Sequence, residues 1–270
     1  MIRVAVDPVN PGQFYAACGL FEVADRLWPG STARFVEDAF VIETNGDTHT
    51  LIDRVRAMAI RPEEMSPPSE KKGKGQRRGT RKGKAQPATP RPKKANPDAN
   101  PAVKSPFVLD PGGIALRVDW WCHDETFKTW AGRMSIVPIM EQARALLNHE
   151  CEAPALFDFA TSIRGMRLTY LDARAARSAG AVDRGYSADA IGEKAACYPA
   201  VEFFGMIGLQ RFRAIPAGDG TQVYTTWASP LSLLVAPVGA VHGHTLGGRL
   251  FRCRAVSRGG DWGASAIRPA

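Results

Sequence analysis

The N-terminal region alternates apolar and polar residues and then changes to a helical pattern. Residues 2 to 6 place Ile, Val and Val at alternate positions, which is typical of a strand with one buried face. Asn10 and Pro11 follow as an N-cap and a proline at the first helical position. Apolar residues recur at helical spacing from there to about residue 28. The pattern therefore predicts a half-buried strand followed by a buried helix.

Similar patterns continue along the chain. Residues 35 to 42 favour a second extended region, and residues 51 to 58 favour a short helix that ends before Pro62. Residues 113 to 119 alternate as a strand. A longer helical pattern covers roughly residues 126 to 148, with Pro138 as a boundary or kink.

The last third of the chain predicts one more apolar helix, from Tyr198 to Phe212, and then closing strands joined by Gly and Pro turns. The predicted strands are residues 222–227, 231–236 and 249–256. The fold class is therefore α+β. We expect an N-terminal βαβα portion (1–60), an insertion (61–106) and a C-terminal α+β portion (107–270).

The two apolar helices share a weak sequence similarity. Three residues of the first recur 189 positions later in the second: Phe14, Gly19 and Leu20 correspond to Phe203, Gly208 and Leu209. A weak pseudo-repeat would explain this, with each glycine allowing a close approach. Alternatively, any two buried helices share a few apolar matches.

Composition narrows the class of protein. With 270 residues, 44% of them hydrophobic and 23% charged, the chain can bury the core of one large or two modest domains. No apolar run approaches the ~20 residues that span a bilayer, and the strand-like start does not resemble a signal peptide. The five cysteines are scattered and odd in number, which does not favour a disulfide framework. We therefore expect a cytoplasmic protein with no membrane partner.

Positive charge is concentrated in one segment. Residues 66–105 contain 12 Lys and Arg against two acids, whereas the rest of the chain has a net charge of −2. The segment also has seven prolines, and residues 67–97 contain no Leu, Ile, Val, Phe, Tyr or Trp. Such a composition predicts a disordered insertion that binds nucleic-acid phosphates, the alternative being a solvating linker. The candidate binding residues here are Lys71, Lys72, Lys74, Arg77, Arg78, Arg81, Lys82 and Lys84.

Further cations lie among small and aromatic residues after the insertion. Small residues let a phosphate reach the backbone, and arginine supplies bidentate donors. The candidates are Lys128, Arg133, Arg164, Arg174, Arg177, Arg184 and Arg211. Alternatively, Arg174 and Arg177 pair with Asp172 and Asp183, and Arg211 stabilises the end of its helix.

Catalytic and cofactor motifs are absent from the sequence. There is no GxxxxGK[ST] loop, no GxSxG elbow and no dinucleotide-binding glycine pattern in a strand-to-helix context. His242 and His244 form a close pair that could face one side of a strand, but a turn explains them equally well. Cys122 and His123 are adjacent and point in different directions. We therefore predict no catalytic residue, metal or cofactor.

Several short motifs, in order along the chain, resemble the third Csb family of type I-U CRISPR-Cas systems, also classed as I-G. The resemblance covers most of the chain except residues 61–106. It is carried by Asn10-Pro11-Gly12-Gln13-Phe14 with Gly19-Leu20, Asp119-Trp120-Trp121, Phe127-Lys128-Thr129-Trp130-Ala131-Gly132, Asp172-Ala173-Arg174, Asp183-Arg184-Gly185-Tyr186-Ser187 and Gly208-Leu209-Gln210-Arg211-Phe212.

This resemblance implies a diverged, large-subunit-like component of the effector complex in antiviral defence. Its partners would be CRISPR RNA, target DNA or both, together with other effector subunits. The chain is short for a large subunit, which leaves a supporting role open. Two alternatives remain: a metal-independent endoribonuclease that processes CRISPR RNA, for which His123 is the nearest candidate, and a subunit that contacts protein only.

Overall fold

The structure is a computed structural model that describes most of the chain outside the basic segment. The described residues are 1–63, 106–111, 115–124, 126–129, 135–148, 151–163, 169–178, 195–257 and 264–270. They form an α+β fold, as the sequence predicts. The insertion predicted over residues 61–106 is described only at its ends: Arg61 and Pro62 belong to a strand, and residues 64–105 lie outside this set.

Six α-helices are present among the described residues. They are α1 (Pro11–Leu27), α2 (Thr48–Ala57), α3 (Ile136–Ala145), α4 (Ala173–Ser178), α5 (Pro199–Arg211) and α6 (Ala236–His242). The first begins as the sequence predicts, because the Asn10 side chain accepts a hydrogen bond from the Gly12 N–H and Pro11 follows it.

The strands form three antiparallel sheets and one strand pair. The first sheet has the order β1-β3-β2-β11, the second β13-β12-β10-β9 and the third β4-β5-β6, while β7 pairs with β8. Their bounds are β1 (Ile2–Ala5), β2 (Thr32–Val36), β3 (Ala39–Glu43), β4 (Ile60–Pro62), β5 (Phe107–Leu109), β6 (Leu116–Val118), β7 (Thr161–Ile163), β8 (Ala195–Cys197), β9 (Ile215–Pro216), β10 (Gln222–Thr225), β11 (Leu231–Ser232), β12 (Leu250–Ser257) and β13 (Ala264–Pro269).

Two predicted elements are shorter than expected. The helix predicted from residue 126 begins at Ile136, and Pro138 lies in its first turn. Backbone N–H groups in the first turn have no intrahelical partner, so a proline there removes no hydrogen bond. The strand predicted over 231–236 ends at Ser232, and the chain enters α6 at Ala236. Pro237 follows the first residue of α6, so a helix start replaces the end of the strand.

The parts of the chain before and after the insertion share one hydrophobic core. Strand β11, from the C-terminal part, completes the first sheet by pairing Leu231 with Ala33 of β2. Phe14 of α1 packs against Phe35 of the first sheet and Tyr224 of the second, with ring centroids 5.5 and 4.5 Å apart. Helix α1 therefore lies where the two sheets meet.

Helices α1 and α5 cross with their backbones almost in contact. A Cβ atom on Gly19 would lie 1.9 Å from the carbonyl oxygen of Phe204, and one on Gly208 would lie 2.0 Å from that of Tyr15. Tyr15 and Phe204 are themselves 189 positions apart, as are the two glycines, so the two contacts are equivalent. The two glycines that match in the sequences of the two helices therefore lie where the helices cross.

Alanine at either crossing glycine should strongly destabilise the fold. The added methyl would meet backbone atoms of the opposite helix, so the helices would have to separate. We expect Gly19→Ala and Gly208→Ala each to lower the free energy of unfolding by about 3 kcal/mol or more. Urea denaturation followed by circular dichroism measures this decrease.

Gly205→Ala is the matched control on α5. Its Cβ would first meet a Leu171 methyl at 2.9 Å, which can move, and the next neighbour is 3.6 Å away. Alanine also favours a helix over glycine by about 1 kcal/mol. Equal destabilisation at positions 205 and 208 would contradict the close crossing.

Candidate functional site

The Asn10 and Asp172 motifs, 162 residues apart, meet at the start of α1. The Asn10 side chain donates a hydrogen bond to Asp172 Oδ1 at 2.9 Å and accepts one from the Ala173 N–H at 3.1 Å. Gly12 allows the loop to approach, because a Cβ there would lie 2.2 Å from the carbonyl oxygen of Leu171. Asn10 therefore caps α1 and also holds residues 171–173 against it.

Arg174 is held by four groups. Its guanidinium donates to Asp172 Oδ2 at 2.8 Å, to Asp158 Oδ1 at 2.7 Å and to the carbonyl oxygen of Phe157 at 2.6 Å. It also lies 3.7 Å from the centroid of the Tyr198 ring, a favourable cation–π contact. Burial alone would lower the pKa of Arg174, but the hydrogen bonds and charge of Asp172 raise it.

A cavity of about 750 Å³ adjoins Arg174. It is lined by four carboxylate side chains and two guanidinium groups: Asp7, Glu37, Asp38, Asp158, Arg174 and Arg249. Carboxylates outnumber cations, so the cavity repels a phosphate. Arg174 therefore acts here as a structural partner of Asp172, in agreement with the pairing alternative for this residue.

Glu202 of α5 is a carboxyl group inside this network. Its oxygens accept hydrogen bonds from the N–H groups of Thr169 at 3.1 Å and Asp172 at 3.4 Å, and from the Thr169 hydroxyl. Burial raises the pKa of Glu202 to about 7, with a further contribution from the negative charge of Asp172. It therefore titrates near neutral pH.

A second ionic cluster lies at the C-terminal ends of α1 and α5. Glu22, which is buried, is shared by Arg26 and Arg211, with N–O distances of 2.8 and 2.6 Å. Glu22 and Arg211 are also 189 positions apart, so they are equivalent positions of the two helices with opposite charge. Glu22 is not among the residues predicted from the sequence, although the same spacing pairs it with Arg211.

The cluster borders a cavity of about 310 Å³ and reaches the third sheet. Gln210 accepts hydrogen bonds from the backbone N–H groups of Asp119 and Trp120 at 2.8 and 2.9 Å. Asp119 pairs with Arg117, which also pairs with Glu63. The conspicuous Asp119-Trp120 and Gln210-Arg211 motifs thus join α5 to the third sheet.

The insertion begins and ends at one point of this sheet. Strands β4 and β5 are antiparallel neighbours, with Pro62 opposite Phe107. The Glu63 N–H donates to the Pro106 carbonyl oxygen at 2.8 Å. The chain therefore leaves and re-enters the fold across a single strand pair, beside Arg117.

The structure brings some of the predicted binding residues into ion pairs and leaves others undescribed. Lys128 is only 9% exposed, and Arg211 and Arg174 are paired as above. Arg177 lies in α4, but its side chain is not described. Outside the described residues are Lys71, Lys72, Lys74, Arg77, Arg78, Arg81, Lys82, Lys84, Arg133, Arg164 and Arg184.

The histidines do not form a metal centre with their described neighbours. His242 ends α6, His244 follows in a short 3-10 helix, and their ring centroids are 6.3 Å apart. His123 is exposed, with its Nε2 3.3 Å from Asp119 Oδ2. In the part of the chain that the structure covers, no three His, Cys, Asp or Glu side chains are grouped to hold a metal ion.

Comparisons with protein families, with curated proteins and with solved structures found no match to this chain. Within the described ranges, none of the helices has the length and apolar character needed to cross a membrane.

Glu202→Gln should flatten the pH dependence of stability. A carboxyl group whose pKa is higher in the folded state stabilises the fold fully below its ordinary pKa, and this contribution disappears as pH rises through about 7. We expect the wild-type free energy of unfolding to fall between pH 5 and 8, by up to about 1.4 kcal/mol per pH unit. Urea titrations across this range measure it.

Glu141→Gln, at an exposed position of α3, is the control and should keep the wild-type pH profile. A Glu202→Gln profile that runs parallel to the wild type would mean that this carboxyl ionises at its ordinary pH.

Proposed function

We propose that this chain is a non-catalytic subunit of a type I-U/I-G CRISPR effector complex that contacts the backbone of guide RNA or target DNA. The effector assignment follows from the resemblance of the motifs, and the observation that carries nucleic-acid contact is the segregation of charge: residues 66–105 have a balance of +10, and the remainder has −2. A polyanion is the partner that binds such a segment most strongly, because each phosphate that the segment neutralises releases condensed counterions.

The ion pairs of the folded part support this division of roles. Arg26 and Arg211 share Glu22, Arg174 pairs with Asp172, and Arg117 pairs with Asp119. These guanidinium groups already have carboxylate partners, so a nucleic acid would compete with buried or half-buried ion pairs to reach them. The cations of the basic segment greatly outnumber its two acids.

The position of the segment also supports the proposal. Since Glu63 and Pro106 are hydrogen-bonded neighbours, the segment can follow a bound strand without requiring any change in the core. Other effector subunits would hold the folded part, and base pairing between guide and target would supply sequence specificity. The compartment we propose is the cytoplasm, in keeping with five cysteines that are all free thiols.

The alternative function, RNA cleavage, would need a general acid or base beside the bound strand. His123 is the nearest candidate, and its ring contacts Asp119, whose carboxylate is already held by Gln210 and Arg117. Lys128, the predicted cation nearest to His123 in sequence, is buried. These contacts favour a structural role for the Asp119 region over proton transfer.

Replacing residues 64–105 by Asn-Gly should weaken nucleic-acid binding while the fold persists. A two-residue Asn-Gly loop closes an antiparallel hairpin, which is the geometry of β4 and β5. We expect the slope of log affinity against log salt to fall by about 0.7 for each phosphate of a single strand that the protein no longer neutralises. Fluorescence anisotropy with labelled RNA and DNA measures it.

A full-length control separates charge from length. Changing the twelve Lys and Arg of residues 66–105 to Gln should reproduce the weaker salt dependence. If both variants keep the wild-type slope, the segment is not a nucleic-acid arm. If the Asn-Gly variant unfolds, the segment is not a dispensable insertion.

His123→Ala should leave RNA binding unchanged and should reveal no activity. Removal of a catalytic histidine lowers a rate by about 100-fold to 10,000-fold, so a cleavage assay on CRISPR repeat RNA is decisive. We expect neither the wild type nor the variant to cleave, with or without a chelator. Specific cleavage that disappears in the variant would favour the endoribonuclease.

A further inference from the structure

Helix α6 presents large apolar side chains to solvent and small ones to the core. Ala236, Gly239 and Ala240 are buried, whereas Val238 is 57% exposed. Leu234, which lies four residues before Val238 in the turn that leads into the helix, is 83% exposed. A surface helix normally has the opposite arrangement, with its large apolar residues facing the core. The outer side of α6 is therefore an apolar surface that the described part of the chain leaves uncovered.

The inner side of α6 is packed closely against the second sheet. The Thr225 hydroxyl of β10 donates to the Gly239 carbonyl oxygen at 2.6 Å and accepts from the Gly243 N–H at 2.8 Å. A Cβ atom on Gly243 would lie 1.8 Å from the carbonyl oxygen of Thr226. The backbone that carries the exposed apolar side chains is thus fixed before a partner binds, which lowers the entropy cost of binding.

The second sheet continues this apolar surface. Leu250 of β12 is directly opposite Thr225, so its side chain lies on the side of the sheet that contacts α6. Side chains alternate along a strand, so Val223 of β10 lies on the same side, with Ile215 of β9 opposite it. Leu250 is 55% exposed and Ile215 is 42% exposed. Exposed aliphatic side chains therefore extend from α6 across the outer face of the sheet.

Most of the exposed large apolar residues in the described ranges belong to this surface. There are seven such residues, and five of them lie in α6, the turn before it and the second sheet. A cluster of this kind on a protein surface marks an interaction site, whereas single exposed apolar residues are ordinary. We call this surface the aliphatic face, and its residues are Ile215, Leu234, Val235, Val238 and Leu250.

The charge around the aliphatic face indicates an acidic partner. The sequence has no Asp or Glu from residue 220 to residue 260, where it has four arginines and two histidines. Arg252 and Arg254 are exposed, and they lie on the same side of β12 as Leu250. Arg252 pairs with Asp219, but both side chains are about half exposed, so this pair contributes little. Carboxylates of a partner would therefore meet cations beside the aliphatic side chains.

Other occupants fit this chemistry less well. A second copy of the chain would bring the same arginines toward one another, and like charges repel. Single-stranded nucleic acid stacks its bases on aromatic side chains, and membrane-surface segments commonly add Trp or Phe. The residues of the aliphatic face are Leu, Ile and Val. An acidic amphipathic segment of another protein supplies both apolar side chains and carboxylates.

We propose that the aliphatic face docks an acidic amphipathic segment of a neighbouring protein subunit. Apolar side chains of that segment pack against α6 and Leu250, and its carboxylates pair with Arg252 and Arg254. The inference rests on the proposed function in one respect, since it assumes that the chain is a subunit of a complex. It does not depend on nucleic-acid contact.

The test co-expresses the tagged full-length chain with the proteins encoded beside it and measures the affinity of the partner that co-purifies. Leu234→Gln and Val238→Gln should each weaken this affinity about 10-fold, because each removes an aliphatic side chain that the partner buries. Arg254→Glu should also weaken it, and more at low salt than at high salt. The matched control is Val9→Gln, which replaces a valine that is 44% exposed elsewhere and should leave the affinity unchanged.

Photo-cross-linking identifies the chemistry of the occupant. A benzoylphenylalanine in place of Leu234 should cross-link to the partner, and mass spectrometry locates the linked segment. We expect apolar residues at helical spacing and an excess of Asp and Glu in that segment. A linked segment without this excess, or stronger binding by Arg254→Glu, overturns the proposal.

The remaining outcomes separate this inference from the proposed function. A partner that binds Leu234→Gln and Val238→Gln as tightly as the wild type overturns this inference alone, as does equal weakening by Val9→Gln. If no encoded protein co-purifies, the inference and the subunit role both fail, while anisotropy with labelled RNA still reports nucleic-acid binding. A dimer that Val238→Gln dissociates in sedimentation equilibrium, or binding to phosphatidylserine vesicles that it abolishes, would assign the face to a second copy or a membrane. Circular dichroism confirms that each variant is folded.

Discussion

The crossing of α1 and α5 is the constraint on which the rest of the structure depends. Gly19 and Gly208 bring the two backbones closer than any side chain would allow. Both helices are consequently buried on nearly all sides: α1 packs against the first and second sheets, and α5 packs against α1, α3 and strand β6 of the third sheet. Aromatic side chains such as Phe14 fill the space between helix and sheet, and there each buried ring contributes several kcal/mol, on the order of 3 to 5.

Because both helices are buried so completely, their polar side chains need hydrogen-bonding or charged partners. The ionic clusters supply these partners. Glu22 and Glu202 lie where an unpaired carboxylate would be strongly destabilising. The two carboxyl groups are stabilised in different ways. Glu22 receives two guanidinium groups, whereas Glu202 receives backbone N–H groups and retains its proton to higher pH. Two residues of the motifs described in the sequence are direct partners here: Arg211 pairs with Glu22, and the Asp172 N–H donates to Glu202.

The sequence predicted the features that depend on residues close together in the chain or on a repeated spacing. These features are the helical spacing of apolar residues, the Asn10 cap and the recurrence of three residues after 189 positions. The contact of Asn10 with Asp172 was not predicted, since 162 residues separate them and only the fold brings them together. The start of α3 was also missed, because helical spacing before Pro138 could not show where the helix begins.

The distribution of charge determines how a nucleic acid would approach such a fold. Fields of exposed charges are screened within about 8 Å at physiological salt, so the basic segment attracts a strand only to its own surroundings. The segment joins the fold at the β4–β5 pair, where Arg117 is already paired with Glu63. A bound strand would contact the folded body most readily through cations that have no strong carboxylate partner. Arg174 does not meet that condition, because it is paired with buried Asp172.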